Sequence, residues 1–373
     1  MNDNPAVIID NGSGMMKAGT AGEDTPKAYF PSVVGIPRFE KVHGADEKDF
    51  YVGNDTIKKR GVLTMESPIE NGMIRDWENM RKIWHHCYYN ELKIDPSDQP
   101  VLLTEAPLNS QQNREDMLEI FFETFKVPAF YVFTQAVLSL YASGKTTGVV
   151  FDSGDGVTHI ATVYDGYCIQ HAVSRVDLAG KDITNYLQKN LKDKGHNFKS
   201  AEEKEIAKSL KEKLCRVAYE YDDEVQLYKE SKTKLNDFEL PDGNKVNIGH
   251  LAIKAPECLF KPSLMGLEIA GIHKSINKVI QDADSDLKRE LYENIVLCGG
   301  NTDFPGFADR VHKEMSELAP DSINVKILAP MDRKFSAWIG GSVLSTLDSF
   351  NSSWITKTEY YETGPSIIQR KCF

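Results

Sequence analysis

The chain carries one short signature twice. The apolar run Ala6-Val7-Ile8-Ile9 stops at Asp10-Asn11-Gly12-Ser13-Gly14, and Gly148-Val149-Val150-Phe151 stops at Asp152-Ser153-Gly154-Asp155-Gly156. Both endings read Asp-x-Gly-x-Gly, with their aspartates 152 − 10 = 142 positions apart. Short β-branched runs halted by glycines predict buried strands that end in tight turns. Repetition at this distance predicts two similar domains facing each other, not a short-period solenoid. A third run, Asn294-Ile295-Val296-Leu297, ends in Cys298-Gly299-Gly300. The length of 373 residues agrees, being too great for one ordinary core.

Helical patterns lie between these runs. Ser200 with Glu203 is a capping-box signature, and it opens a segment with Ile206, Leu210, Leu214, Val217 and Tyr221 at helical spacing. Residues 273–290 place Ile276, Val279, Ile280, Ala283 and Leu287 on one stripe, and residues 113–125 carry Met117, Ile120, Phe121 and Phe125. Strands alternating with such helices predict a layered α/β fold. Two polar stretches, 38–54 and 228–247, read as peripheral insertions, the second with Pro241-Asp242-Gly243 as a turn.

Composition narrows the function classes. With 41% apolar and 27% charged residues the chain is that of a soluble globular protein. No window approaches the roughly 20 uncharged apolar residues of a membrane helix, and the N-terminus lacks a signal core. The six cysteines are scattered, without a CxxC pair, which suits reduced thiols in the cytosol. A net charge of −11 argues against nucleic acid as a general partner.

A glycine-rich turn after a strand lets backbone N–H groups approach an anion, because no Cβ blocks them. Two such turns from two domains would hold a polyphosphate between them. Ser13 adds a hydroxyl and Lys17 an ammonium within reach. Asp10 and Asp152 would repel phosphate directly, and a hydrated Mg²⁺ resolves the conflict by binding carboxylate and phosphate oxygens together. An isolated DxGxG would be an ordinary hairpin; a pair at strand ends, with Gly299-Gly300 at a third, favours the Mg-nucleotide clamp. There is no GxxxxGK[ST] and no strand–GxGxxG–helix, so the P-loop and dinucleotide readings are weak. Nothing marks Ser13 as a nucleophile. Adjacent His85 and His86 point to different helix faces and lack a third ligand, which makes them packing residues.

Longer blocks then resemble actin: Val7-Ile-Ile-Asp-Asn-Gly-Ser-Gly14, Val101-Leu-Leu-Thr-Glu-Ala-Pro107, Gln135-Ala-Val-Leu-Ser-Leu-Tyr141 and Asp152-Ser-Gly-Asp-Gly-Val-Thr-His159. So do Lys211-Glu-Lys-Leu-Cys215, Trp338-Ile-Gly-Gly-Ser342 and the closing Gly364-Pro-Ser-Ile-Ile-Gln-Arg-Lys-Cys-Phe373. Sugar kinases and chaperone ATPases of the same superfamily share only the phosphate-turn pattern. The resemblance implies an actin-like ATPase fold, two similar α/β domains in four subdomains around a central nucleotide cleft. Subdomain 1 would be 1–32, 68–142 and 335–373; subdomain 2, 33–67; subdomain 3, 143–178 and 270–334; subdomain 4, 179–269. It further implies ATP or ADP with Mg²⁺ or Ca²⁺, polymerisation into filaments coupled to ATP hydrolysis, and a cytoplasmic, cytoskeletal location.

Carried over by position, Ser13, Gly14, Met15 and Lys17 contact the phosphates from one half, and Asp155, Gly156 and Val157 from the other. Asp10 and Asp152 hold the cation's waters. Gln135 and His159 position and polarise the attacking water, although His159 alone reads as a packed hinge histidine. Gly180, Lys211, Glu212, Gly300, Asp303, Phe304 and Lys334 surround the adenosine. Phe304 replaces a usual tyrosine, Asp303 a methionine and Lys208 an arginine. Asn71 stands where actins carry a modified histidine. Residues 38–50 form a loop that is short of the usual apolar contacts. Leu264-Met265-Gly266-Leu267-Glu268-Ile269 stays apolar enough for an inter-subunit plug, and the acidic N-terminal cluster is reduced to Asp3. A hydrophobic cleft around Tyr141, Ala142, Gly144, Thr146, Tyr167, Val343, Leu344 and Leu347 would receive actin-binding proteins, with Ser353 replacing a methionine. The alternatives are an actin-related, non-polymerising subunit of a complex, or a small-molecule kinase on the same fold. The kinase would need an aspartate beside an acceptor pocket, and no such constellation stands out.

Overall fold

The computed structural model describes residues 4–38, 48–192, 201–230, 238–239, 243 and 245–372, with the side chains of 201–203 and 229 left aside. Each signature run folds as the first strand of a hairpin. Val7–Asn11 pairs antiparallel with Met15–Thr20, setting Asp10 opposite Lys17. Gly148–Ser153 pairs antiparallel with Thr158–Tyr164, setting Asp152 opposite His159. The offset is seven in both (17 − 10 and 159 − 152), so Lys17 and His159 occupy equivalent places in the two halves.

The sheets around these hairpins repeat one plan. In the first, the order is Ile355–Thr356, Ala129–Thr134, Val101–Glu105, Val7–Asn11, Met15–Thr20, Ala28–Pro31. In the second it is Ile327–Leu328, Ile295–Cys298, Gly148–Ser153, Thr158–Tyr164, Tyr167–Val176. Each first hairpin strand pairs in parallel with the strand on its other side. The third apolar run therefore enters as the parallel neighbour of the second, and the first sheet adds one edge strand. The hairpin strands Val7–Asn11 and Gly148–Ser153 are almost continuously buried, as strands covered on both faces must be.

Two apolar cores follow. One gathers Trp84, Tyr88, Phe121, Phe130 and Trp338; the other gathers Phe151, Leu187, Tyr292 and Phe307. A smaller cluster joins Ala136, Val137 and Leu140 to Val150, Ala161 and Val296 of the second sheet. It lies beneath the helix Gln135–Ala142, which carries the chain from the first sheet towards the second. The helix Ser336–Leu344 returns it, and the two helices pack closely. Gly340 permits that approach, since a Cβ there would fall on the Leu138 carbonyl oxygen and 2.9 Å from Leu138 Cα. Trp338 locks the returning helix by donating its indole N–H to the Ile8 carbonyl at 3.1 Å.

Two expected helices are shorter than their apolar stripes. The helix Ala201–Leu214 stops before Val217, and Tyr221 begins the next one, Tyr221–Glu230. Tertiary hydrogen bonds take the intervening chain: Arg216 N–H donates to the Ala252 carbonyl and Val217 N–H to that of Pro305. The stripe over 273–290 divides into Ile272–Asp282 and Lys288–Tyr292, with Ala283 extended. Asp284, Ser285 and Asp286 interrupt it, residue types whose side chains compete for backbone groups outside helices. The segment 113–125 runs as Gln111–Glu119 followed by a π-helical turn, Ile120–Thr124. The capping box at Ser200, the turn at Pro241-Asp242, most of the 38–50 loop and Asp3 lie outside the described residues.

Candidate nucleotide cleft

The two glycine turns face each other. A Cβ on Gly14 would lie 2.6 Å from Asp155 Cβ, and one on Gly156 would lie 2.7 Å from both Cβ and Oγ of Ser13. Glycine is thus required at both places by the opposing turn. Gly299, at φ +82°, lies against the Asp152 carboxylate and the Ser153 carbonyl, which leaves no room for a side chain. The turns open onto a cleft of about 380 Å³, within the usual range for a small-molecule site.

The cleft floor is organised by Asp10, which is 2% exposed. Its Oδ2 accepts from Lys17 Nζ at 2.7 Å, and its Oδ1 accepts from Thr104 Oγ1 at 2.5 Å and Gln135 Nε2 at 2.8 Å. Burial pushes this carboxyl's pKa up, but the Lys17 charge and the three hydrogen bonds outweigh it and hold it below the ordinary value. Lys17 is in turn held above its usual value, burial being overcome by Asp10 and Asp152. Asp152 differs. Burial raises it to about 6, with Lys17 opposing and Asp10 adding to the rise. One aspartate is satisfied by the protein, and the other is short of positive charge.

His159 lines the same cleft. Its Nε2 is buried with no partner among the described residues. Burial, helped by Arg175 and opposed by Asp177, lowers its pKa to about 4. The ring is therefore neutral at physiological pH.

Ser13, Gly14, Met15, Asp155, Gly156 and Val157 line the phosphate-like end, with Gln135 and Asp152. Lys211, Glu212, Gly300, Asp303, Phe304 and Lys334 line the other walls. Gly180 stands behind the lining. Its N–H donates to the Gly154 carbonyl at 3.0 Å, and its own carbonyl accepts from Lys211 Nζ at 2.9 Å. It joins a helix start to the second turn.

Several organising residues have no role in the sequence reading, where Lys208 enters only as a replaced arginine. Thr104 bonds Asp10, receives Gln135 Nε2 at 3.2 Å and accepts the Asn11 N–H at 3.2 Å. Asn301 donates to Ser153 Oγ at 3.0 Å and to the Gly154 carbonyl at 2.7 Å, bracing the second turn. Tyr29, Lys208 and Arg333 also line the cleft. Asn71 and Gly72, at φ +49° and +79°, form the two-residue tip between Ile69–Glu70 and Met73–Ile74. Asn-Gly is the preferred pair for such a turn. This tip reaches the first glycine turn, Gly72 N–H donating to Ser13 Oγ at 3.1 Å. Thr104→Val should leave the Asn11 N–H without its acceptor and remove a donor from Asp10. A loss of about 1 to 3 kcal/mol in urea unfolding is expected.

Among the described residues no group of three or more His, Cys, Asp or Glu could hold a metal. Asp10 and Asp152 could therefore bind a hard divalent cation only together with water or ligand oxygens, which is how Mg²⁺ is ordinarily held. The unbalanced charge at Asp152 fits such an ion. His85 is exposed against the Tyr89 ring, whereas His86 bonds Glu91 at 3.1 Å, so the pair is divided between two faces. All six cysteines are free.

Outside the cleft, Tyr167, Val343 and Leu347 are exposed, and Tyr141 and Leu344 are half-buried. Leu267 and Ile269 are exposed too, while Leu264 and Met265 pack on the second core. No helix among the described residues is long and apolar enough to cross a membrane.

A duplicated hairpin-and-sheet plan, with paired glycine turns meeting over one polar cleft, is the architecture of the two-domain, actin-like ATPase class. The family model described as Actin matches residues 1–373, the whole chain. The chain belongs to the actin family.

Proposed function

We propose that the chain binds ATP or ADP with a divalent cation in the cleft, hydrolyses ATP and assembles into filaments in the cytoplasm. The observation that carries this reading is the contact of the turns: Gly14 against Asp155 and Gly156 against Ser13 bring both halves to the lining of one cleft. Occupancy of that space ties the two halves together, so ligand state and the shape offered to a neighbouring subunit are linked. Mg²⁺, when bound, would neutralise phosphate charge beside Asp10 and Asp152.

The residues supply position and polarity. Lys17 and the turn amides of Ser13, Gly14, Met15, Asp155, Gly156 and Val157 hold the phosphates. Lys211, Glu212, Gly300, Asp303, Phe304 and Lys334 enclose the nucleoside. Gln135, its amide nitrogen fixed by Asp10 and Thr104, presents its carbonyl oxygen to a water. The neutral His159 imidazole offers that water a second partner. Orientation and charge stabilisation then carry phosphoryl transfer. Leu267 and Ile269 supply apolar area for self-association. The apolar side chains of Tyr141, Tyr167, Leu344 and Leu347 would receive an amphipathic helix of an actin-binding protein.

Sedimentation and phosphate release test this directly. Purified protein with Mg-ATP and salt should pellet as polymer and release phosphate as it does so. Gln135→Ala should pellet while releasing phosphate about a hundredfold more slowly, the scale of a misplaced reactant. ATP retention without sedimentable polymer at tens of micromolar would instead support a non-polymerising, actin-related subunit.

A further inference from the structure

The cleft lining includes a carboxylate, Asp303, for which phosphate binding has no use. Asp303 closes the short turn Gly300–Asp303 and lines the cleft beside Phe304. Its Oδ1 lies 3.2 Å from Arg333 Nε. That guanidinium is itself clamped: Nε donates to Thr302 Oγ1 at 3.0 Å, Nη2 to the Thr302 carbonyl at 2.7 Å, and Nη1 to the Pro330 carbonyl at 3.0 Å. Arg333 gives these hydrogen bonds to Thr302 and Pro330 and meets Asp303 as a neighbouring charge. Among the described residues no hydrogen bond to Asp303 Oδ2 is found. Burial raises this carboxyl's pKa, with Arg333 and Lys334 opposing.

We propose that Asp303 reads the base edge of the bound nucleotide and gives the cleft a guanine-accepting mode beside the adenine one. This rests on the reading of the cleft as a nucleoside-phosphate site. A carboxylate repels phosphate, and the neighbouring aromatic Phe304 suits a flat heterocycle better than a sugar. An ionised carboxylate only accepts hydrogen bonds. Guanine places N1–H and the 2-amino group side by side, two donors for one carboxylate. Adenine offers its 6-amino group next to N1, an acceptor that the carboxylate repels. A carboxylate acceptor there therefore favours guanine more than a neutral side chain would, as carboxylates elsewhere favour amino-bearing base edges.

Competition binding with the Mg²⁺ complexes of ATP, GTP and ITP on the full chain tests this. Wild-type protein should hold GTP within about tenfold of ATP, and Asp303→Asn should weaken GTP about tenfold or more while moving ATP less than about threefold, the scale of a lost charged hydrogen bond. ITP, which lacks the 2-amino group, should bind wild type more weakly than GTP. Asp303→Met should reproduce the selective loss, which guards against a folding defect peculiar to one variant. Equal weakening of ATP and GTP in both variants would assign Asp303 to ribose or to turn support and overturn the proposal. So would ATP retention by wild type with no displacement by a hundredfold excess of GTP. Retention of neither nucleotide would instead remove the underlying reading of the cleft.

Discussion

Gly340→Ala is expected to destabilise the fold severely, although it adds one methyl group to a helix. The added Cβ would meet the carbonyl oxygen of Leu138 and stand 2.9 Å from Leu138 Cα. Those are backbone atoms, and no rotamer change can move them. Relief requires separating the helices Gln135–Ala142 and Ser336–Leu344, which between them carry the chain from one half to the other and back. Separation would pull the Trp338 indole from the Ile8 carbonyl and lift Gln135 from Asp10. A destabilisation of about 4 kcal/mol or more follows, an exceptional value for one methyl group, against a total of about 5 to 15 kcal/mol. Gly341→Ala is the control. Its Cβ would meet Ile8 Cγ2 at 2.9 Å and Leu102 Cδ2 at 3.3 Å, side-chain atoms of the core and not backbone. About 1 to 3 kcal/mol is expected there. Denaturant midpoints with saturating nucleotide separate the cases, and equal midpoints for the two variants would show that the helices do not form a rigid joint.

The contrast between these neighbouring glycines marks how far the sequence could be read. The duplicated Asp-x-Gly-x-Gly endings announced two halves, because a strand-to-turn transition is written locally in side-chain branching and glycine. The same locality identified Ser13, Lys17, Asp155 and Gly156, which lie within a few residues of their turns. Thr104 and Arg333 come from other elements and are chosen by tertiary position, so no spacing rule points to them, and Asn301, although it follows Gly299-Gly300, takes its role from a hydrogen bond to the distant second turn. Gly340 is of the same kind, since its demand comes from Leu138. Asn71-Gly72 was legible and undervalued: the sequence reading weighs Asn71 as a replaced histidine, while the Asn-Gly pair itself specifies the tight turn that brings Gly72 to Ser13. The over-long helices fail for the opposite reason. Apolar spacing continued across 283–287 and past Leu214, but periodicity reports which residues are buried, not whether the backbone hydrogen bonds run unbroken.

Asp152→Asn is expected to strengthen the nucleotide-free protein and weaken the response to nucleotide. The Asp152 carboxyl is raised from 3.8 to about 6, by burial first and by Asp10 after it, against the pull of Lys17. A raised carboxyl disfavours its own ionisation in the fold. Its effect is absent below the unfolded value, grows between 3.8 and about 6, and is complete at pH 7. The gap corresponds to about 3 kcal/mol, which a neutral, isosteric asparagine would restore in large part. The stability difference between variant and wild type should therefore vanish near pH 4 and be largest above pH 6, in protein stripped of nucleotide and divalent cation. Asp10 runs the other way: its depressed carboxyl stabilises the fold above its unfolded value, and that contribution is lost as pH falls through the folded one. Removing Asp152 leaves the Asp10 contribution in place. With Mg-ATP added the order should reverse, because the variant lacks the carboxylate whose uncompensated charge favours the cation. Thermal unfolding with and without Mg-ATP across this pH range reads both effects. A variant that is less stable than wild type at pH 7 without ligand would mean that the Asp152 charge is already compensated by the protein, and the case for a cation beside it would fall.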